Sequence, residues 1–344
     1  MKKLSSLAML TGFILSCAIS SCIKSVSKTS PVSSSDSTVQ KQATKPPSDT
    51  TVIPVVNGWR QLSDNTAGLS TNAQTSLIYT YNGNLYFGWG NTGNQTIYQL
   101  DTTNYHWVAA ITIPSSVQVI QQPTYFILGS KLYIGGGYAS TALSFYEYDM
   151  TQGNTAAAWR SLTPLPENML NGAGFAFGGY GYVQTGENTA AGNNMMYKFS
   201  TTGASDPGTW TTLGALNVTD GPAASFIINN TVYFGGGSAN ATDPTLANAF
   251  FAITPPALTL TPIAAIPEPV SPSPGQRFST WTVADTAYAY DSYTKTVYSY
   301  TPSGNSWTQL TTIPTTSRVE YATYYNDHIY AWSDTGAVWE YVGQ

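Results

Sequence analysis

Charge and cysteine are both scarce in this sequence. Asp, Glu, Lys and Arg make up only 9% of the chain, with a formal net charge of -5. The basic footprint of a nucleic-acid binder is missing, so no DNA or RNA partner is expected. The two cysteines, Cys17 and Cys22, both precede residue 23. The rest of the chain therefore has no disulfide to form and no thiolate to offer a metal or a substrate. Histidine is almost as rare, with His106 and His328 alone, and a zinc or copper ligand set cannot be assembled from them. There is no phosphate loop, dinucleotide fingerprint or G-x-S-x-G elbow. No metal and no cofactor is expected.

Long apolar runs are also lacking, apart from Leu4 to Ile19, which follows Lys2 and Lys3 and is too short to span a bilayer comfortably. The sequence Ile19-Ser20-Ser21-Cys22 that follows resembles the lipobox of bacterial lipoproteins. That resemblance implies a signal peptide over 1–21, lipidation of Cys22 and a place in the bacterial cell envelope, periplasmic or surface-exposed. Residues 22–52 are rich in Ser, Thr, Lys and Pro and nearly free of aromatics. They cannot bury enough apolar surface to offset ordering entropy and form a flexible tether.

What the chain does have is aromatic residues (13%) and 30 glycines, the composition of many short strands joined by tight turns. A marker, W-x-x-[LA]-x-x-[IL]-P, recurs at Trp107, Trp159 and Trp307. It recurs with Leu for Trp at Leu260, and without the Pro at Trp59 and Trp210. The steps between these six positions are 48, 52, 51, 50 and 47 residues. Each unit carries a hairpin whose turn is Asn82-Gly83, Gly129-Ser130, Gly178-Gly179, Asn229-Asn230, Ala284-Asp285 or Asn326-Asp327. Most of these residues tolerate the positive φ of two-residue hairpin turns. A Tyr follows at one place in every unit, namely Tyr86, Tyr133, Tyr182, Tyr233, Tyr288 and Tyr330. An aromatic third strand and the marker strand complete the unit.

Apolar hairpin, diglycine (Gly135-Gly136 and Gly235-Gly236), aromatic third strand and Trp, in that order, resemble the kelch repeat, whose period is about 50 residues. The resemblance implies an all-β, six-bladed kelch-type β-propeller over residues 53–344, and a monomer. The aromatics at repeat positions are expected to be core packing. The last unit stops after its third strand, while Trp59 opens a fourth strand with no unit before it. Gly58–Leu62 is therefore expected to pair with Val338–Val342, so that an N-terminal strand closes the ring and removes its open edge.

Kelch propellers also occur in galactose oxidase, but copper radical chemistry needs Cys, His and Tyr ligands that this chain lacks. In a propeller, the connections from the fourth strand to the next first strand, and from the second to the third, share the face where ligands usually bind. Arg277, Arg318, Glu187, Asp291 and Asp334 map to that rim, with Asn91, Tyr138, Ser238 and Tyr293 beside them. His106 and His328 fall at the other face, which leaves Ser/His/Asp catalysis without its base. Arg60, Arg160, Glu147, Lys198 and Glu340 fall within outer strands and are expected to be solvated or to bridge blades. The long connection Ser238–Asn248 is expected to wall the channel mouth.

Two functions are in view. One is a membrane-anchored, non-catalytic propeller that binds a glycan or a protein partner through its loops. The alternative is a sugar epimerase or mutarotase, since periplasmic N-acetylneuraminate epimerases are also six-bladed kelch propellers. That resemblance would make Glu187 the acid/base and leave Arg277 or Arg318 to hold the sugar carboxylate.

Overall fold

Six two-residue turns build the molecule. In the computed structural model Asn82 and Gly83 (φ 47° and 70°), Asn229 and Asn230 (48° and 60°) and Asn326 and Asp327 (46° and 64°) hold both turn positions in the left-handed region. That backbone twist matches the twist of the strands the turns join. The structure describes residues 55–63, 77–89, 94–137, 143–169, 172–184, 195–203, 205–216, 224–236, 248–267, 278–316, 319–333 and 336–343. The expected signal peptide and tether lie outside them.

Strand β1 (Trp59–Ser63) comes first. Blade 1 is β2 to β5 (Leu77–Tyr81, Asn84–Gly88, Thr96–Asp101, His106–Thr112). Blade 2 is β6 to β9 (Thr124–Leu128, Lys131–Gly135, Phe145–Asp149, Trp159–Ser161). Blade 3 is β10 to β13 (Gly174–Phe177, Tyr180–Gln184, Met195–Ser200, Thr209–Ala215). Blade 4 is β14 to β17 (Ala224–Ile228, Thr231–Gly235, Phe250–Ile253, Thr261–Pro262). Blade 5 is β18 to β21 (Phe278–Val283, Thr286–Asp291, Thr296–Thr301, Ser306–Thr312). Blade 6 takes β22 to β24 (Val319–Tyr325, His328–Ser333, Val338–Tyr341). All six sheets are four-stranded and antiparallel, and the strand order of blade 6 is β1-β24-β23-β22.

The ring closes as the repeat pattern requires. Trp59 pairs with Tyr341, Arg60 with Glu340 and Gln61 with Trp339, and a bulge follows before Ser63 meets Val338. Where Leu260 replaces the marker Trp, the fourth strand shrinks to the two residues Thr261–Pro262. No indole is present there to anchor a longer outer strand.

Six apolar clusters fill the six wedges between blades. In one of them, Phe87 and Trp107 of blade 1 interlock with Tyr321 and Trp332 of blade 6, with ring centroids 5.1–5.9 Å apart. Packing of this kind supplies most of what a blade cannot bury alone.

The diglycines divide their labour. A Cβ on Gly135 or Gly235 would lie 2.2 or 2.1 Å from the carbonyl oxygen of Ser144 or Ala249 on the adjoining connection. The first glycine thus lets the second and third strands close up, away from the ring axis. The second glycine, Gly136 (φ 71°) or Gly236 (φ 66°), turns the chain left-handed. In blade 1 that second place is held by Trp89 at φ 64°. Its indole is fully buried and donates to the Ile120 carbonyl at 3.0 Å, which offsets the strain of a bulky side chain there.

Two outer-strand carboxylates are not solvated, contrary to the first of the two expectations. Glu147 and Glu340 are each 2% exposed. Glu147 accepts from both Arg160, at 3.1 and 2.6 Å, and Lys131. Arg160 also donates to the Asp206 carbonyl of blade 3 at 2.7 Å, so this cluster does bridge blades. Each Glu sits mid-sheet opposite a Tyr on one side and an Arg on the other. Burial without those partners would be prohibitive.

Candidate functional site

A two-residue hairpin fixes which backbone groups face the axis. The pair flanking the turn exchanges hydrogen bonds, and the next pair does not. In blade 1 the flanking pair is Tyr81 and Asn84, so Thr80 and Ile78 direct their N–H and C=O groups away from β3, toward the axis. The same register places Tyr125, Gly174, Ser225, Thr280 and Ala322 level with Ile78. Six innermost strands therefore present free edges to one central channel of about 540 Å³, lined by residues of every blade. That volume falls in the range of small-ligand clefts.

Side chains close much of the upper edge. The Tyr125 phenol donates to the Ile78 carbonyl at 3.2 Å and accepts from its N–H at 3.4 Å. Ser225 donates to the Gly174 carbonyl (3.1 Å), and Thr280 donates to the Ser225 carbonyl (2.8 Å). Ser279 donates to the Ala322 carbonyl (2.9 Å) and accepts from its N–H (3.2 Å). At Gly174 the blades touch, because a Cβ there would sit 2.1 Å from the Tyr125 carbonyl oxygen.

Behind the channel wall, the repeat Tyr of the second strand stacks on an aromatic of the first. The pairs are Tyr79–Tyr86, Phe126–Tyr133, Phe175–Tyr182, Phe226–Tyr233 and Trp281–Tyr288, at 4.8–5.6 Å. In blade 6 Thr323 stands opposite Tyr330 instead, and that phenol donates to Glu340 at 3.2 Å.

The described lining of the channel contains no Asp, Glu, Lys, Arg or His. Its titratable groups are phenols. Burial raises the pKa of Tyr79, reinforced by Tyr148 and Tyr86, and burial raises that of Tyr125 against an opposing backbone hydrogen bond from Ile78. Both stay protonated at neutral pH and act as hydrogen-bonding groups, not bases. The walls can hydrogen-bond a ligand and offer it aliphatic surface, with Tyr125 and Tyr324 the less buried of the lining rings.

Of the rim residues expected from sequence, the structure describes two. Asp291 ends β19 opposite Phe278, a channel-lining residue, and is 0% exposed. Its carboxylate accepts from the Tyr293 N–H at 2.9 Å and the Thr294 hydroxyl at 3.1 Å, so it shapes the turn and is not presented to solvent. Tyr293, two residues on, is 57% exposed. Lys295 from the same turn donates to the Thr315 carbonyl at 2.7 Å, tying it to the connection between blades 5 and 6 and placing both on one face. Glu187, Arg277, Arg318, Asp334, Asn91, Tyr138 and residues 238–247 lie outside the described residues. Asn248, at the end of the long connection, is buried. His106 and His328 open β5 and β23 directly after turns, and neither lines the channel.

Sequence reasoning passed over Glu167. It follows the marker Pro166 on the connection from blade 2 to blade 3, and its carboxylate accepts from the buried Tyr197 phenol at 2.6 Å. Its position after a fourth strand was the available signal. The Ser and Thr residues of the innermost strands were also missed, because residue type alone does not separate an axial hydroxyl from an ordinary strand hydroxyl.

No family model matches this chain, and no curated protein matches it. Among solved structures, the one described as "Structure of YjhT" is similar, with a TM-score of 0.54 over 80% of this chain and 95% of that one, at 15% identity. Likeness at that identity bears on the fold alone.

Proposed function

We propose that this chain is a lipid-anchored binding module of the bacterial cell envelope, whose propeller takes a glycan in its central channel without transforming it. The observation that supports this most directly is the neutral channel lining, which combines hydroxyls, aromatic rings and aliphatic side chains with no carboxylate or guanidinium among the described residues. Stacking and neutral hydrogen bonds are what a sugar ring needs for binding. Acid–base turnover needs a positioned proton carrier as well. The test is a glycan array probed with the full chain in a non-glycosidic detergent. Saturable binding to a subset of glycans supports the reading. Capture of a protein partner with no glycan bound would refute it.

The second reading is a sugar mutarotase, favoured by the resemblance of the repeats to N-acetylneuraminate epimerases. Glu187 would then move the proton, and Arg277 or Arg318 would hold a sugar carboxylate. Exchange of the α and β anomers of sialic acid, followed by NMR, decides between the two. Acceleration that is lost in Glu187→Gln would make this an enzyme.

A further inference from the structure

The two ends of the channel differ in how their hydroxyls are used. Toward the face of the long connections, Tyr125, Ser225, Ser279 and Thr280 are committed to neighbouring inner strands. Toward the hairpin turns, the next register level holds Thr80, Ile127, Ala176, Ile227, Thr282 and Tyr324, each one pair in from its turn. Thr80 and Thr282 are exposed, Thr323 is half-buried, and all three line the channel. None of these three hydroxyls has a protein partner among the described residues.

Their placement around the ring is one-sided. Thr282 and Thr80 come from blades 5 and 1, and between them blade 6 gives Tyr324 at the same level and Thr323 one pair deeper, on the opposite face of its strand. Ile127 and Ile227, from blades 2 and 4, face them across the axis. This end of the channel is amphipathic, with a hydroxyl arc opposite an aliphatic arc. The backbone N–H and C=O groups at this level also point to the axis, because the pairs Thr80–Leu85 and Thr282–Ala287 do not bond to each other. At the mouth stand the exposed turn residues Asn82, Asn229, Asn230 and Asn326, with the only two charged turn residues, Asp285 and Asp327, on the hydroxyl side. Asp327 accepts from the Tyr324 phenol at 3.0 Å. Two carboxylates beside the mouth disfavour an anion.

We propose that this hairpin end of the channel is a binding site for an uncharged pyranose ring. Its apolar face lies on Ile127 and Ile227, and its hydroxyl edge hydrogen-bonds Thr80, Thr282 and the free strand edges. The site rests on the glycan-binding reading, but it opens on the face opposite the long connections that carry Arg277 and Arg318. A hydroxyl both donates and accepts, so a threonine arc suits sugar hydroxyls without imposing a charge. A bound sugar shuts these hydroxyls off from water, so removing one then leaves its sugar partner unpaired, which makes each threonine matter.

The test is isothermal titration of the full chain, in a non-glycosidic detergent, with methyl glucoside, methyl galactoside, N-acetylglucosamine and glucuronate. The proposal expects at least one neutral sugar to bind at one site and glucuronate to bind more weakly. Thr80→Val and Thr282→Val keep shape and β-branching while deleting the hydroxyl, and each should weaken that binding tenfold or more with Tm unchanged. Arg318→Ala should leave it intact. Binding that survives both threonine changes but is lost in Arg318→Ala would overturn the hairpin-end site while leaving glycan binding standing. Preference for glucuronate, or no neutral sugar bound while the array shows glycan binding, would overturn it as well. An array with no bound glycan at all would sink the broader reading instead.

Discussion

Arg60 and Glu340 stand directly opposite each other in the pair that joins the first strand of the ring to the last, with Arg60 Nε 2.6 Å from a Glu340 oxygen across 280 residues of sequence. Arg160 and Glu147 repeat the arrangement within blade 2. The difference lies in the third partner. Glu147 has Lys131, whereas Glu340 has His328 at 3.4 Å in the equivalent place, the first residue of the second strand.

The closing strand should carry a large share of the stability of the ring. A chain beginning at Thr66 loses Trp59, which is 1% exposed and whose indole donates to Thr311 at 3.0 Å. It should melt far below a chain beginning at Pro54, and equal melting temperatures would disprove closure by β1. Arg60→Ala alone should cost about 2 kcal/mol, since it strips a charged partner from a buried carboxylate while Arg60 itself remains partly solvated.

Stability should fall with acid through Glu147. Burial works to raise its pKa from 4.5, but hydrogen bonds from Arg160 and Lys131 outweigh that and the net shift is downward. Protonation therefore favours the unfolded chain. The stabilisation is full above the ordinary carboxyl range and is lost as pH falls through the lowered folded-state value. Glu147→Gln should lower Tm at neutral pH and flatten its decline below about pH 4. An unchanged acid profile in that variant would remove Glu147 from the account.

Two glycine substitutions should fail for different reasons. Gly174→Ala puts a methyl 2.1 Å from the Tyr125 carbonyl oxygen, at backbone that cannot retreat. It should cost about 2–3 kcal/mol and disturb the channel. Gly129→Ala meets no atom within 4 Å but must keep φ 63°. Its cost should be about 1 kcal/mol, with ligand binding unaffected. Denaturant midpoints separate the two, and equal losses would contradict the steric argument for Gly174.

The anchor should depend on one cysteine. Cys22→Ser should leave the protein unprocessed or release it from membranes, and Cys17→Ser should do neither. Membrane fractionation and metabolic lipid labelling test this. Equal loss of anchoring in both variants would move the cleavage site.

The repeat was legible because it is local. Turn dipeptides, the Tyr of the second strand and the marker Trp recur at a fixed spacing wherever a hairpin and its neighbours must pair. Trp59 without a preceding unit and Val338–Tyr341 without a following strand were enough to close the ring on paper. The partner of each repeat Tyr, an aromatic on the first strand, was in the sequence too, but it is Tyr, Phe or Trp in five blades and Thr323 in the sixth.

By itself, then, the sequence determined the number of blades and their register at the turns, because those follow from pairing between residues a few positions apart, and it determined the closing strand, because one marker strand and one three-stranded unit were each left without a partner. Only the tertiary structure decided that Glu147 and Glu340 are buried, that Asp291 is held in a turn away from solvent, and that Thr80 and Thr282 line one side of the axis. Burial of the carboxylates depends on how strands and blades pack around them, and the threonine placement depends on residues from different blades meeting once the ring has closed. Threonine in a strand has the same local propensity whether it faces solvent, a neighbour or a channel, so only the position of its blade in the ring can tell these apart.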